Sequence, residues 1–161
     1  MKSAVENVCD ASLVSPFVRA AREVFQTMLN VHCKTGETLP VDHDLHELAV
    51  TSIVTLSGKA AGVLGLSTTK RGALKILERM TGIEATEVDE MVRDVVGEMA
   101  NMIGGCGKRE LADYAFKLGL PQVTVDEVHE ATPDRWPIYY WVALDTGIGP
   151  CTLHIGFAPE T

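Results

Sequence analysis

No stretch of this 161-residue chain strings together anything near the roughly 18 apolar residues that span a bilayer, so no transmembrane helix is expected. The first ten residues, MKSAVENVCD, lack an apolar core segment, so no signal peptide is expected either. Clusters of basic residues are missing too. The net charge is −8, and Lys70–Arg71 and Lys108–Arg109 are the only adjacent basic pairs. Two pairs are too few to track a phosphate backbone or hold an anionic lipid surface, which argues against nucleic acid and membrane as partners. The four cysteines (Cys9, Cys33, Cys106 and Cys151) form no C-x-x-C pair. A structural zinc site is therefore not expected, and free thiols in a reducing cytoplasm are the simplest reading. Glycine-rich phosphate loops ending in GK[ST] are also absent, so the chain does not read as a nucleotide binder.

What is present is ordinary in amount: 46% hydrophobic and 22% charged residues, enough for one globular domain over 1–161. After a loose leader at 1–14, SPFVRAAREVFQTMLN (15–30) reads as an amphipathic helix. Ser15 is its expected N-cap and Pro16 its first residue, with Phe17, Ala20, Ala21, Val24, Phe25 and Met28 buried. A turn at Gly36 and a short edge strand follow in 34–42. The β-branched run 47–58 and the small-residue run 60–69 predict a hairpin turning at Gly58–Lys59. A Thr-capped helix over 68–82 closes at Gly82, and Thr86 is the expected cap of the next helix, with Asp89 completing an imperfect capping box. The last third is strand-rich. Segments 122–131, 137–146 and 149–160 predict an antiparallel meander, with Pro121, Pro137 and Pro150 at strand starts. The order is α-β-β-β-α-α-β-β-β. That predicts an α+β fold, an antiparallel sheet with helices packed on one face. A short parallel between Glu23–Leu29 and Glu98–Ile103 raises an internal pseudo-repeat.

One segment stands apart. Residues 87–109, EVDEMVRDVVGEMANMIGGCGKR, carry an apolar stripe at helical spacing: Val88, Met91, Val92, Val95, Met99, Met102 and Ile103. On the other side Asp94, Glu98, Asn101 and Gly105 fall within an arc of roughly 60° at about 100° per residue. Asn101 and Gly97 are poor choices for a surface helix, and the glycine costs about 1 kcal/mol relative to Ala. Such a column suits hydrolysis of a phosphoryl group held by another molecule. An amide both donates and accepts hydrogen bonds and can hold a water in line with phosphorus. A carboxylate beside a phosphate is better used to pair with a lysine on that partner.

The pattern Asp94-x-x-x-Glu98-x-x-Asn101-x-x-x-Gly105 within DVVGEMANMIGG resembles the motif of the CheC/CheX/FliY family of chemotaxis phosphatases. The first helix, the length and the element order are closest to CheX-like members. The resemblance implies dephosphorylation of the aspartyl phosphate of CheY-like response regulators. It gives Glu98 and Asn101 as catalytic residues: Glu98 contacts a lysine of the regulator, and Asn101 orients the attacking water. Asp94 matches a position that takes Asp or Ser and would be supporting, and Gly105 matches the motif glycine, needed for close packing. No cofactor of the protein's own is implied; the magnesium ion belongs to the regulator. CheC-like members carry two copies of the motif. Here Arg19 stands where the leading Asp or Ser would be, and no Asn follows Glu23 and Gln26. One copy is thus lost, which implies a CheX-like homodimer. The same helix face would also serve a non-catalytic adaptor that binds a regulator or another partner.

The remaining reactive side chains have plainer readings. Asp42, His43, Asp44 and His46 in VDHDLHE read as a solvated polar loop and not as a metal site. Cys106 reads as a small packed thiol. Trp136, Tyr139, Tyr140 and Trp141 read as strand aromatics, and Met91, Met99 and Met102 as core filler, with Met102 within reach of a docked partner.

Overall fold

The computed structural model describes residues 4–35, 48–127, 129, 131–132 and 134–159. The elements, in chain order, are α1 (Ala4–Leu29), β1 (Lys34–Thr35), β2 (Val50–Ser57), β3 (Ala60–Thr68), α2 (Lys70–Thr81) and α3 (Glu90–Lys108). A 3-10 helix (Arg109–Tyr114) follows, then β4 (Lys117–Leu118), β5 (Gln122–Val125), β6 (Ile138–Asp145) and β7 (Pro150–Pro159). All strand pairs are antiparallel, in the order β1-β6-β7-β3-β2-β4, with β5 also on β2. This is the α+β architecture expected.

The sheet order has a hidden symmetry. Exchanging β1, β2 and β3 with β5, β6 and β7 reproduces the same order read from the other edge. A duplicated helix-strand-strand-strand unit gives this arrangement, with α1 and α3 opening the two halves and β3 and β7 meeting at the centre.

Strand alternation separates two faces. One face buries Val50, Val54, Leu56, Leu64, Leu66, Val142, Leu144, Leu153, Ile155 and Phe157 beneath the helices. Phe17, Ala21, Val24 and Phe25 of α1, Ile76 and Leu77 of α2, and Val92, Val96, Met99 and Ile103 of α3 complete this core. The other face carries Ile53 and Val63 against Ala131 and Trp136. Here the chain crosses back over the sheet between β5 and β6. It settles where strand residues are small: a Cβ on Gly65 would sit 3.1 Å from that of Ala131, and one on Gly156 would sit 2.6 Å from the Trp136 ring. Beneath this crossing His154 is buried within hydrogen-bonding reach of Ser67, Thr152 and Tyr139.

Several sequence expectations need correction. Helix α1 begins at Ala4, so Ser15 does not cap it and Pro16 lies inside. Leu13 and Val14 are buried in the core, and that burial outweighs the backbone hydrogen bond a proline removes. Leu29, one turn beyond Phe25, takes the inward position that Met28 was expected to hold. Strand β5 pairs with β2 and not with β6, so the last three strands are no meander. Periodicity identifies a strand but not its neighbour. The segment 34–42 is described only at Lys34–Thr35, and Asp42, His43, Asp44 and His46 lie outside the described residues.

Candidate functional site on helix α3

The helix that carries the polar column starts later than its apolar stripe suggests. Asp89 is the N-cap, its carboxylate accepting from the Val92 N–H at 3.0 Å, and Thr86 is not part of the helix. Glu90 in the first turn and Lys108 in the last complement the helix dipole. The helix continues through Gly104, Gly105 and Gly107 to Lys108 and tightens to 3-10 beyond.

Three of the four glycines of α3 are explained by packing. A Cβ on Gly97 would lie 3.2 Å from Pro121 and 3.4 Å from Val123, and one on Gly104 would lie 3.1 Å from Leu118. A Cβ on Gly107 would run into the Phe17 ring of α1. These absences let α3 sit closely between α1 and the β4–β5 edge. Gly105 differs: its added Cβ would meet only Leu118, at 3.9 Å, an ordinary contact. Among the described residues the expectation that Gly105 serves close packing therefore finds no support; Gly97, Gly104 and Gly107 do that.

The outward side of α3 is where the spacing places the column. Asp94 and Glu98 are exposed, and Asn101 and Gly105 are half-buried. With a rise of about 1.5 Å per residue, Glu98 and Asn101 are separated by roughly 4.5 Å along the axis, and Asp94 stands about 6 Å before Glu98. Among the described residues none forms a hydrogen bond or ion pair with the side chains of Asp94, Glu98 or Asn101. A carboxylate and a carboxamide one turn apart, both uncommitted, are available to another molecule.

The surroundings were harder to read from sequence. The edge segment Leu118–Pro121 lies along α3, with Leu118 on Gly104 and Gly105 and Pro121 on Gly97. The Arg93 guanidinium, donating to the Val123 carbonyl at 3.3 Å, ties β5 to the same helix. Pro121 marks the start of β5 in sequence, but nothing there places it against a glycine of α3.

The face is convex. A cleft of about 280 Å³ lined by Lys70, Leu74, Thr86, Glu87, Val88 and Val125 lies nearby, and none of the four column residues lines it. Small molecules favour concave sites, so an outward helix face carrying the polar pair fits a macromolecular partner. Among the described residues no three His, Cys, Asp or Glu side chains converge as metal ligands. Cys33, Cys106 and Cys151 are free thiols; burial pushes Cys33 up to about 11 and also raises Cys151, so neither is an activated nucleophile. No helix of the described residues is long and apolar enough to cross a membrane.

Fold and site together define an α+β domain with an uncommitted carboxylate and carboxamide on one outward helix face. The family model described as chemotaxis phosphatase CheX matches residues 50–136, which include β2, β3, α2, α3 and the whole polar column. This chain belongs to the CheX family. It is 28% identical over 97 residues to the CheY-P phosphatase CheX of Thermotoga maritima; the match covers 60% of this chain and 63% of that relative, just under two thirds of its length. Its fold is that of chemotaxis protein CheX from Vibrio vulnificus, with a TM-score of 0.80 at 23% identity, covering 91% of this chain and 99% of the other. It also matches a chain of the CheX-CheY-BeF3-Mg²⁺ complex from Borrelia burgdorferi, with a TM-score of 0.75 at 20% identity, covering 89% and 96%.

Proposed function

We propose that this protein hydrolyses the aspartyl phosphate of a CheY-like response regulator. The observation that carries the reading is the Glu98–Asn101 pair, uncommitted on an outward helix face in a chain of the chemotaxis phosphatase family. The Thermotoga maritima relative is a CheY-P phosphatase, and the Borrelia burgdorferi relative is found in a complex with CheY, BeF3 and Mg²⁺; both support the choice of partner.

Helix α3 docks over the phosphorylated pocket of the regulator. The Glu98 carboxylate pairs with a lysine there and fixes the register. The Asn101 amide holds a water in line with phosphorus. The water oxygen bonds to phosphorus as the bond to the aspartyl oxygen breaks. The aspartate leaves as carboxylate with that electron pair, and both protons of the water stay with inorganic phosphate. Positioning supplies the acceleration, as expected where the transition state is loose and the partner already holds the phosphoryl group. Asp94 supports the acidic side of the docking face. The protein brings no cofactor; the magnesium ion sits on the regulator and draws charge from the phosphoryl oxygens.

A homodimer and a cytoplasmic location belong to the same proposal, and the free thiols fit a reducing compartment. The test is the decay of a phosphorylated CheY protein from the same organism. Faster decay with the intact protein and the uncatalysed rate with Asn101→Ala are expected. Equal acceleration by both would overturn the role of Asn101, and no acceleration by the intact protein would overturn the activity.

A further inference from the structure

The edge of the sheet beside α3 contains an irregularity that the proposed chemistry does not use. Leu118 pairs with Leu56, and Gln122 pairs with Ile53. Gly119, Leu120 and Pro121 therefore stand opposite Val54 and Thr55, three residues against two, which is a β-bulge. The Gly119 N–H still reaches the Thr55 carbonyl at 2.9 Å, and Pro121 has no N–H to offer. The extra residue throws Leu120 out of the strand alternation, and its side chain is 89% exposed. Ile83, Met91 and Met28, the other large exposed apolar residues described, are each less than half exposed.

The place of Leu120 follows from its neighbours. Leu118 rests on Gly104 and Gly105, and Pro121 rests on Gly97. Those glycines bracket Glu98 and Asn101 on α3, so the bulge runs alongside the polar pair. Gly105 supplies the second half of the observation. Glycine is among the poorest helix formers, it faces outward here, and no neighbour among the described residues needs the room it leaves. Next to the polar pair there is thus one projecting apolar side chain and one recessed spot on the helix.

We infer that Leu120 and Gly105 form the apolar seat on which the receiver domain of the regulator docks. Leu120 inserts against it, and Gly105 lets its surface approach the α3 backbone. This rests on the proposed function, which already places the regulator over Glu98 and Asn101; the seat is continuous with that face. Met91, outward on α3 one turn before the start of the column at Asp94, extends it at the other end. The division of labour is specific. Asn101 holds the attacking water, Glu98 fixes the register through charge, and the seat supplies the apolar share of the affinity that holds the regulator in place.

The test uses the receiver domain of a CheY protein from the same organism, activated with BeF3 and Mg²⁺ for binding and phosphorylated for turnover. Leu120→Ser is expected to raise Kd and KM about tenfold or more with kcat within about twofold and the melting temperature unchanged. Gly105→Leu is expected to raise KM similarly while the chain stays folded. Ile83→Ser, an exposed apolar residue between α2 and α3, is expected to change neither constant. Unchanged Kd and KM in Leu120→Ser and Gly105→Leu, with the intact protein active, would overturn the seat and leave the phosphatase reading standing. An intact protein that neither binds nor dephosphorylates the receiver domain would overturn both.

Discussion

The His154 ring nitrogen Nε2 lies 2.8 Å from the Ser67 hydroxyl, at the centre of the sheet on the face away from the helices. The Tyr139 hydroxyl lies between the Ala131 carbonyl, at 3.0 Å, and His154 Nδ1. Nε2 faces Ser67, which is itself 2.6 Å from Thr51, and Thr152 at 3.1 Å, so a neutral ring has a hydroxyl within reach of each nitrogen, one to donate to and one to accept from. Every polar atom of the ring is used in its neutral form. The cluster resembles a Ser-His pair but is sealed from solvent, so it pins the crossing segment to the sheet.

That environment predicts the acid side of the stability profile. Burial, with a smaller contribution from His129, pushes the His154 pKa down to about 3 from an ordinary 6.5, and burial also lowers His129. Between those values the unfolded chain binds protons that the folded chain refuses. Stability is therefore full above pH 6.5 and falls as pH drops toward 3, with a slope of up to about 1.4 kcal/mol per pH unit for each such histidine. Denaturation midpoints taken from pH 6.5 down to 5, above most carboxylate titration, are expected to fall. In His154→Gln the slope over that window is expected to be smaller, whatever the variant loses in overall stability.

The glycines of α3 predict a contrast within one helix. Gly107→Ala forces a Cβ into the Phe17 ring and is expected to cost about 1–3 kcal/mol, the usual range for overpacking. Gly105→Ala meets only an ordinary contact with Leu118 and is expected to stabilise by up to about 1 kcal/mol through helix propensity. Urea melts of the two variants should move in opposite directions. Equal destabilisation would mean that α3 sits differently on α1 and β4.

The start of α3 can be tested the same way. Asp89 accepts from the Val92 N–H, so Asp89→Ala is expected to cost about 1 kcal/mol. Thr86→Ala lies outside the helix and is expected to change stability by less than about 0.5 kcal/mol. Thermal melts distinguish the two, and the reverse ranking would restore the longer helix.

The elements governed by local chemistry were legible in the sequence. Thr69 caps α2 through the Gly72 N–H at 2.9 Å, Gly82 closes that helix with φ 77°, and the β2–β3 hairpin turns at Gly58–Lys59. The polar column was legible because helical period alone puts Asp94, Glu98, Asn101 and Gly105 on one side. What could not be read depends on contacts distant in sequence. Pro16 looks like a helix start until the burial of Leu13 and Val14 is known. Strand β5 looks like the neighbour of β6 until the crossing at Ala131 and Trp136 is seen. The edge beside α3, where Leu118 rests on Gly104 and Gly105 and Pro121 on Gly97, depends on the bulge at 119–121, a register feature set by β2.

The two residues of the polar pair predict different kinetic losses. Asn101 holds the water only as the phosphorus–oxygen bond breaks, so Asn101→Ala is expected to lower kcat by roughly 10²-fold, the scale for one preorganised hydrogen-bonding group, with the regulator still bound. Glu98 acts through charge on the partner lysine. Glu98→Gln keeps the shape and removes the charge. It is expected to weaken binding and to flatten its dependence on ionic strength, because an exposed ion pair is screened by salt. Titrating the intact protein and both variants against the BeF3-activated receiver domain at low and high salt separates these effects, with single-turnover decay giving kcat. A steep salt dependence that survives Glu98→Gln would assign the docking charge elsewhere on the acidic face, with Asp94 the next residue to replace.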